Sequence, residues 1–268
     1  MIDLLEEVEK LETLRPLANR MVRNVVLARY ADLYEYSDPL TRLGLLTPLG
    51  HEMHEIGEVF SVLRPGTLLA ITGHPGRGKT YAAMVLGSYA LKSGWVVLSN
   101  VPLKDETPGY KLITSTYELL KYTVTFWERK KMVILDEAGL FATTSIGHVS
   151  NRSVFHTLNL AKISRKLRLA LVWIDQQSEG SIPPYLRRLA VEGAGILEME
   201  KPGRGTWITT GGTKPIFVLP EGLEYDTYSI SSMEFNVDIP RLLEGLTGLS
   251  YDEIRRYISK QLSFYTRE

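Results

Sequence analysis

The chain has 268 residues, of which 44% are hydrophobic and 23% charged, fractions that are ordinary for a globular protein with a sizeable core. The formal net charge of +0 excludes a whole-chain basic bias toward nucleic acid, and the absence of cysteine excludes disulfides and cysteine-based zinc sites. Residues 1–10 are acidic and amphipathic, unlike a signal peptide, and the most apolar run, 167–174, is too short to span a bilayer. We therefore expect a cytoplasmic protein without a membrane span.

The N-terminal part is predicted to be helical. Apolar residues recur at helical spacing from Leu4 to Leu14, Pro16 interrupts the pattern, and a second helical run continues to residue 34. Residues 1–58 contain more acids than bases. We interpret this arm as a docking or oligomerisation segment rather than as a DNA contact.

From Val59 onward, short apolar strands alternate with helices. The predicted strands are 66–72, 95–99, 132–135 and 169–174, and the predicted helices between them are 79–91, 117–127 and 150–167. This alternation is typical of a mainly parallel sheet with helical crossovers. Beyond residue 194 the pattern changes to hairpins, and from residue 239 it is helical again, with Ser250 as an N-cap. We predict a helical arm, an α/β core and a helical appendage, at 1–58, 59–230 and 231–268.

Residues 73–80 match the phosphate-binding pattern G-x-x-x-x-G-K-[ST] in full, between a predicted strand and a predicted helix. Glycines let main-chain N–H groups curl around phosphates, and the positive end of the helix dipole faces the anion. We expect Lys79 to reach the β- and γ-phosphates of ATP, and Thr80 to ligate Mg²⁺. The other predicted nucleotide-binding residues are Gly73, His74, Pro75, Gly76, Arg77 and Gly78.

Four apolar residues, 132–135, lead into the acidic pair Asp136 and Glu137, which is a Walker B pattern. We expect Asp136 to hold Mg²⁺ through water and Glu137 to act as the general base on the attacking water. The acidic pair separates hydrolases of the RecA and AAA+ types from small-molecule kinases and GTPase switches, which lack the second carboxylate. The sequence therefore predicts an ATPase with a RecA/ASCE-like P-loop fold.

A polar segment follows the fourth predicted strand. It contains Gln176 and Gln177, then Ile182-Pro183, and then Arg187 and Arg188. With the P-loop and the acidic pair, this order resembles the FtsK–HerA superfamily of DNA-pumping ATPases, over about residues 66–229. The resemblance implies that Gln177, or Gln176 if the register shifts by one, is the sensor of the γ-phosphate.

Two further segments are similar to the Zot-like branch of that superfamily. They are Asn100-Val101-Pro102-Leu103, after the second predicted strand, and Tyr225-Asp226-Thr227. Zot-like phage proteins usually carry a membrane segment, which is not found in this sequence. That departure favours the soluble branches, viral genome packaging or DNA translocation, over phage secretion.

Ring ATPases of this kind complete their site with an arginine from a neighbouring subunit. The candidates here are Arg187, Arg188 and Arg152. No acidic residue occurs between Glu137 and Asp175, whereas bases do, and Lys162, Arg165 and Lys166 fall on one helical face. That face is either a track for a phosphate backbone or an ordinary solvated surface.

The leading hypothesis is a motor that hydrolyses ATP with Mg²⁺ and moves double-stranded DNA as a homo-oligomeric ring, a hexamer or a pentamer. A viral role would bring a capsid or a membrane protein as a further partner, in the host cytoplasm. One alternative is an AAA+-like replication initiator or helicase loader, which requires a helical lid after the core. Another is a nucleotide-dependent switch or a kinase.

Overall fold

The computed structural model describes six stretches of the chain: residues 54–136, 160–175, 184–218, 222–226, 233–234 and 236–265. Most of the predicted N-terminal arm, residues 1–53, lies outside them. The described fold therefore consists of an α/β unit, which begins at His54, together with the C-terminal helices.

A nine-stranded mixed sheet forms the centre of this fold. Its strands are β1 (His54–Glu55), β2 (Leu68–Thr72), β3 (Val96–Ser99), β4 (Tyr110–Leu112), β5 (Lys131–Leu135), β6 (Leu169–Ile174), β7 (Gly195–Lys201), β8 (Arg204–Thr209) and β9 (Gly212–Phe217). Their spatial order is β1-β9-β8-β7-β2-β6-β5-β3-β4. The strands from β7 through β2 to β4 are parallel, and β7, β8 and β9 form an antiparallel meander. The predicted P-loop class of fold, with a mainly parallel sheet and a C-terminal hairpin, is confirmed.

Helices cover both faces of the sheet. They are α1 (Ile56–Val62), α2 (Lys79–Lys92), α3 (Thr116–Thr125), α4 (Pro184–Glu192), α5 (Ile239–Glu244) and α6 (Tyr251–Tyr265). The buried side chains of α1 and α2 form one core with one face of the sheet, and those of α3, α4, α5 and α6 form a second core with the other face. Strands buried on both faces explain the uninterrupted apolar runs that marked β2, β5 and β6 in the sequence.

Strand β2 shows how the two cores are divided. Leu68 and Ala70 belong to the core under α4, whereas Leu69 and Ile71 belong to the core under α2. Alternate side chains of a strand point to opposite faces, so one continuous apolar run fills both cores. The strand ends at Thr72 and delivers the chain directly into the P-loop.

The predicted helix over 150–167 is described from residue 160, and it ends earlier than expected, because residues 164–168 form turns. Arg168 closes these turns with a φ of 56°. At the other end of the chain, Ser250 precedes α6 as predicted, and its N–H and hydroxyl both donate to Glu253 Oε2, at 2.7 and 2.6 Å. Within the described ranges, we find no helix with the length and apolar character needed to cross a membrane.

Candidate nucleotide-binding site

The P-loop joins β2 to α2 at the edge of the sheet where the parallel strands end. Gly73 and Gly78 have φ angles of 133° and 80°, in the region that favours glycine. A Cβ at Gly73 would lie 2.5 Å from the carbonyl oxygen of Met199, and one at Gly78 would lie 3.3 Å from Cα of Pro202. The β7–β8 turn therefore packs directly against one side of the loop, and these two glycines are sterically required.

The opposite side of the loop is open. A Cβ added at Gly76 would meet no atom within 4 Å, and His74, Pro75 and Arg77 are exposed. Helix α2 begins at Lys79 and has no side-chain cap on its first N–H groups. An open glycine cradle before an uncapped helix N-terminus is the arrangement that binds phosphate in P-loop proteins.

Lys79 is buried, with 7% of its surface exposed, and its ammonium donates to the carbonyl of His74 at 2.9 Å. The side chain thus turns back across the mouth of its own loop. A cation in this position lies beside the space in which the phosphates of a nucleotide would be bound.

Thr80 and Asp136 connect the two predicted motifs. The hydroxyl of Thr80 donates to Oδ2 of Asp136 at 2.8 Å, although the residues are 56 positions apart in the chain. A hydroxyl and a carboxylate oxygen are ligands that suit Mg²⁺. The donor set at this point therefore fits the predicted metal, with Thr80 and Asp136 as the residues that would hold it.

Asn100 holds the main chain of Asp136 on both sides. This side chain, 3% exposed, donates from Nδ2 to the carbonyl of Asp136 at 3.0 Å and accepts from its N–H at 2.8 Å. Asn100 follows β3, which pairs with β5 up to Ser99 and Ile134. The sequence singled out Asn100 only within a segment similar to the Zot-like branch and gave it no role; the available signal was a polar residue at the end of a strand.

Residues 222–226, which we call the strap, cross α2 and pair with the segment after Asn100. Leu103 and Tyr225 form an antiparallel bridge, and the N–H of Lys104 donates to the carbonyl of Glu224 at 3.1 Å. Gly222 lies over α2, where an added Cβ would approach Val85 Cγ2 at 3.1 Å. Burial, and then the negative charge of Asp136, raise the pKa of Tyr225 above its usual value. The strap therefore brings a phenol within electrostatic reach of Asp136.

A cavity of about 530 Å³ lies between the strap, α2 and the β7–β8 turn, beside the P-loop. Tyr81, Gly203, Val218 and Tyr225 contribute to its walls. Lys104 and Glu224 also line it and form an exposed ion pair at 3.9 Å. Its walls combine aromatic rings, an aliphatic side chain and main chain, which is the usual composition of a small-molecule pocket.

Asp175 follows β6, which lies between β2 and β5 in the sheet. Its carboxylate is 4% exposed, and Oδ2 has no hydrogen-bond partner among the described residues. The sequence pointed to the two following glutamines at this strand end. The predicted residues Glu137, Arg152, Gln176 and Gln177 lie outside the described ranges.

Arg187 and Arg188 are both exposed on α4. Arg188 lies 3.8 Å from Glu192 and over the ring of Tyr185, whereas no ion pair or ring contact of the Arg187 side chain is found among the described residues. The basic face predicted from the sequence is divided: Lys166 donates to the carbonyl of Leu246 at 3.1 Å, and Lys162 lies over Tyr185.

No protein-family model matches the sequence, and no curated protein matches it. Solved structures do resemble parts of the fold. B204, the DNA-packaging ATPase from Sulfolobus Turreted Icosahedral Virus, is 13% identical, with a TM-score of 0.37 over 50% of this chain and 75% of that one. The genome packaging NTPase B204 from Sulfolobus turreted icosahedral virus 2, in complex with ATP-gammaS, is 12% identical, with a TM-score of 0.40 over 56% of this chain and 97% of that one.

The pCW3 conjugation coupling protein TcpA is also similar, with 12% identity and a TM-score of 0.42 over 61% of each chain. These similarities are partial and the identities low. The function proposed below therefore rests on the residues of the site and on the sequence motifs.

Proposed function

We propose that this chain hydrolyses ATP and couples the hydrolysis to the movement of double-stranded DNA. The observation that carries the ATPase part is the 2.8 Å contact between Thr80 and Asp136, because it joins the P-loop to the Walker B strand in one site. The step from hydrolysis to DNA movement rests on the resemblance of the sequence to the FtsK–HerA superfamily.

In this proposal Lys79 and the N-terminus of α2 bind the β- and γ-phosphates, and Thr80 and Asp136 hold Mg²⁺. Bound there, Mg²⁺ supplies charge neutralisation for phosphoryl transfer. Glu137 follows Asp136 directly and serves as the general base. Because Asn100 fixes both main-chain polar groups of Asp136, it also fixes the start of the peptide that carries Glu137.

The nucleoside of ATP has a matching space in the cavity beside the P-loop. Its volume of about 530 Å³ is within the usual range of small-molecule pockets, and Tyr81 and Tyr225 offer rings against which a base can pack. A base in this cavity would touch the strap. Nucleotide binding would therefore stabilise the contact between the strap and the segment after Asn100.

The catalytic arginine of the proposed ring comes from a neighbouring copy. Arg187 suits this role better than Arg188, because Arg188 already lies against Tyr185 and Glu192. Arg152 stays a candidate from the sequence. Gln177 is the proposed sensor, with Gln176 as its alternative. The proposed partners are double-stranded DNA and further copies of the chain, in a hexamer or a pentamer, and a capsid or a membrane protein in a viral setting.

The AAA+-like alternative requires a helical lid that covers the nucleotide. In the described part of the chain, the helices after the core are α5 and α6, and they pack with α3 on the face opposite α2. This placement disfavours a loader or an initiator. The kinase or switch alternative predicts little dependence of turnover on Glu137, since such proteins lack a carboxylate at that position.

The proposal is tested by measuring ATP hydrolysis by the full chain with and without long linear duplex DNA, together with particle mass under both conditions. We expect duplex DNA to increase the rate of ATP hydrolysis. We also expect the particle mass to increase to that of a ring when ATP and DNA are both present. Hydrolysis that is indifferent to DNA would contradict the motor. A particle that stays monomeric under all conditions would contradict the ring and the trans-acting arginine.

A further inference from the structure

Tyr185 lies in the first turn of α4, and 37% of its surface is exposed. Two cations from different parts of the chain lie over its ring. The ammonium of Lys162 is 5.9 Å from the ring centroid, and the guanidinium carbon of Arg188 is 5.6 Å from it. We call Lys162, Tyr185 and Arg188 the Tyr185 cluster.

The cluster belongs to the outer side of α4. Leu186 and Ala190 are the buried residues of this helix and anchor it to the sheet, whereas Lys162, Arg187 and Arg188 are exposed. Cation–ring contacts at exposed sites are weak, so the cluster adds little to the stability of the fold.

Two other basic side chains of the same region bond to main-chain carbonyls of the protein. Lys166 donates to the carbonyl of Leu246, and Arg168 donates to the carbonyl of Glu128 and lies over the ring of Tyr251. The cations of the Tyr185 cluster differ, because no hydrogen bond from Lys162 or Arg188 to a carbonyl is found among the described residues. Among the described residues, the acidic contact of the cluster is the pair between Arg188 and Glu192 at 3.8 Å, which is largely exposed and therefore weak.

Two like charges beside one exposed ring repel each other, and a polyanion relieves that repulsion. The ring keeps two mobile side chains close together, which reduces the entropy lost when both contact one ligand. Two cations already lie over the ring, so the ring contacts positive charge rather than a base. These features suit adjacent phosphates of a duplex better than an unstacked base of a single strand.

We propose that the Tyr185 cluster is a contact surface for the phosphate backbone of double-stranded DNA. This inference rests on the proposed function, since it names where the DNA of the motor binds. In the chain, α4 follows the predicted sensor glutamines, so a DNA contact on α4 would lie close in sequence to the residues proposed to detect the γ-phosphate.

The test is the salt dependence of duplex binding by the full chain. Fluorescence anisotropy with a duplex of about 40 base pairs would compare the wild type with a Lys162→Gln, Arg188→Gln double variant. We expect affinity to fall about tenfold or more, and the slope of log affinity against log salt to decrease by about 2, one for each lost phosphate contact.

A matched control removes two exposed cations from another helix. Arg256→Gln with Lys260→Gln makes the same charge change on the exposed side of α6. We expect the control to keep the wild-type slope. Tyr185→Phe should bind as the wild type, whereas Tyr185→Ala should weaken duplex binding about threefold by releasing both cations. Thermal unfolding of each variant verifies that it is folded.

The outcomes separate this inference from the proposed function. If the wild type binds the duplex and the double variant keeps the same slope, the cluster is not the contact, and the motor proposal stands. If the wild type neither binds duplex DNA nor is stimulated by it, the motor proposal fails. If the double variant loses ATP hydrolysis in an assay without DNA, the cluster instead contacts the nucleotide bound to a neighbouring copy. A larger loss for single strands than for duplexes in Tyr185→Ala would assign the ring to base stacking. Either result would overturn the inference.

Discussion

One charged residue starts strand β5 and another directly follows its last residue. The two charges differ in their burial and in their bonding partners. Lys131 at its start is fully buried, with 0% of its surface exposed, and its ammonium donates to the carbonyls of Phe126, Trp127 and Arg129 at 3.0, 3.2 and 2.8 Å. Asp136, directly after the strand, is partly exposed and bonds to Thr80 and Asn100 from two other elements.

Lys131 has a structural role, whereas Asp136 lies in the candidate site. The three acceptors of Lys131 all follow α3, so the ammonium caps the end of that helix and uses all of its donors. The carboxylate of Asp136 is held at the mouth of the P-loop, where a metal would be ligated. Changes at the two ends should therefore have different consequences, one for stability and the other for catalysis.

The largest expected effect is that of Asp136→Asn. The amide can keep a bond to Thr80 but loses the charge that would hold the metal, so we expect ATP hydrolysis to fall about 10²- to 10³-fold. Thermal unfolding should hardly change, because Asn100 bonds to the main chain of residue 136. Steady-state hydrolysis at saturating ATP measures the effect. A variant with normal turnover would remove Asp136 from the site.

Lys131→Met should show the opposite pattern. The apolar side chain fits a buried site but leaves three carbonyls without their donor, and we expect unfolding to become easier by about 3 kcal/mol. Turnover per folded molecule should stay normal. Denaturant unfolding together with activity at low denaturant checks both statements. A catalytic defect at full stability would show that the two ends of β5 are not functionally distinct.

The pH dependence of the free energy of unfolding gives a second test of the structural role of Lys131. Burial, with a smaller contribution from Arg168, lowers the pKa of Lys131 from 10.5 to about 8. Between these two pKa values, the unfolded chain holds a proton on Lys131 that the folded chain has released. The free energy of unfolding therefore increases as pH rises from about 8 toward 10.5. The gain is up to about 3 kcal/mol.

This gain is best measured as the difference between the wild type and Lys131→Met across that range, because other groups cancel in the difference. Tyr110, whose pKa is raised to about 12 by burial, is one such group. A difference that stays flat from pH 8 to 10 would show that Lys131 titrates normally in the folded protein.

The smallest effect is expected for Asn100→Ala, which leaves the acid in place and removes its support. Loss of both bonds should reduce turnover about tenfold and ease unfolding by about 1–3 kcal/mol, while ATP binding changes little. Ser99→Ala is a matched control, since Ser99 accepts a bond from the N–H of Val101 at the same strand end. An equal loss of turnover in both variants would show that Asn100 has only a local structural role.

Features that depend on local sequence were predictable. The P-loop is a contiguous glycine pattern, β2, β5 and β6 are continuous apolar runs, and Ser250 with Glu253 marks the start of α6 within four residues. Each is determined by neighbours in the chain. For this reason the position of Lys79, Thr80 and Asp136 at one edge of the sheet could be expected from the sequence.

Features that depend on which strands are neighbours were not predictable. The bonds of Asn100 to Asp136 require β3 and β5 to be adjacent in a particular register, across 36 positions of sequence. The strap pairs Tyr225 with Leu103, far away in the chain, and forms a wall of the cavity only because α2 lies beneath it. The sequence contains no periodicity that reports such contacts.

In the proposed mechanism, the site hydrolyses ATP through a carboxylate beside Asp136. The most direct measurement compares ATP binding and single-turnover hydrolysis in the wild type and in Glu137→Gln. We predict unchanged binding and hydrolysis reduced by about 10²-fold or more, because the variant keeps the phosphate-binding residues and loses the general base. Normal hydrolysis in Glu137→Gln would contradict the account and would favour a nucleotide switch or a kinase.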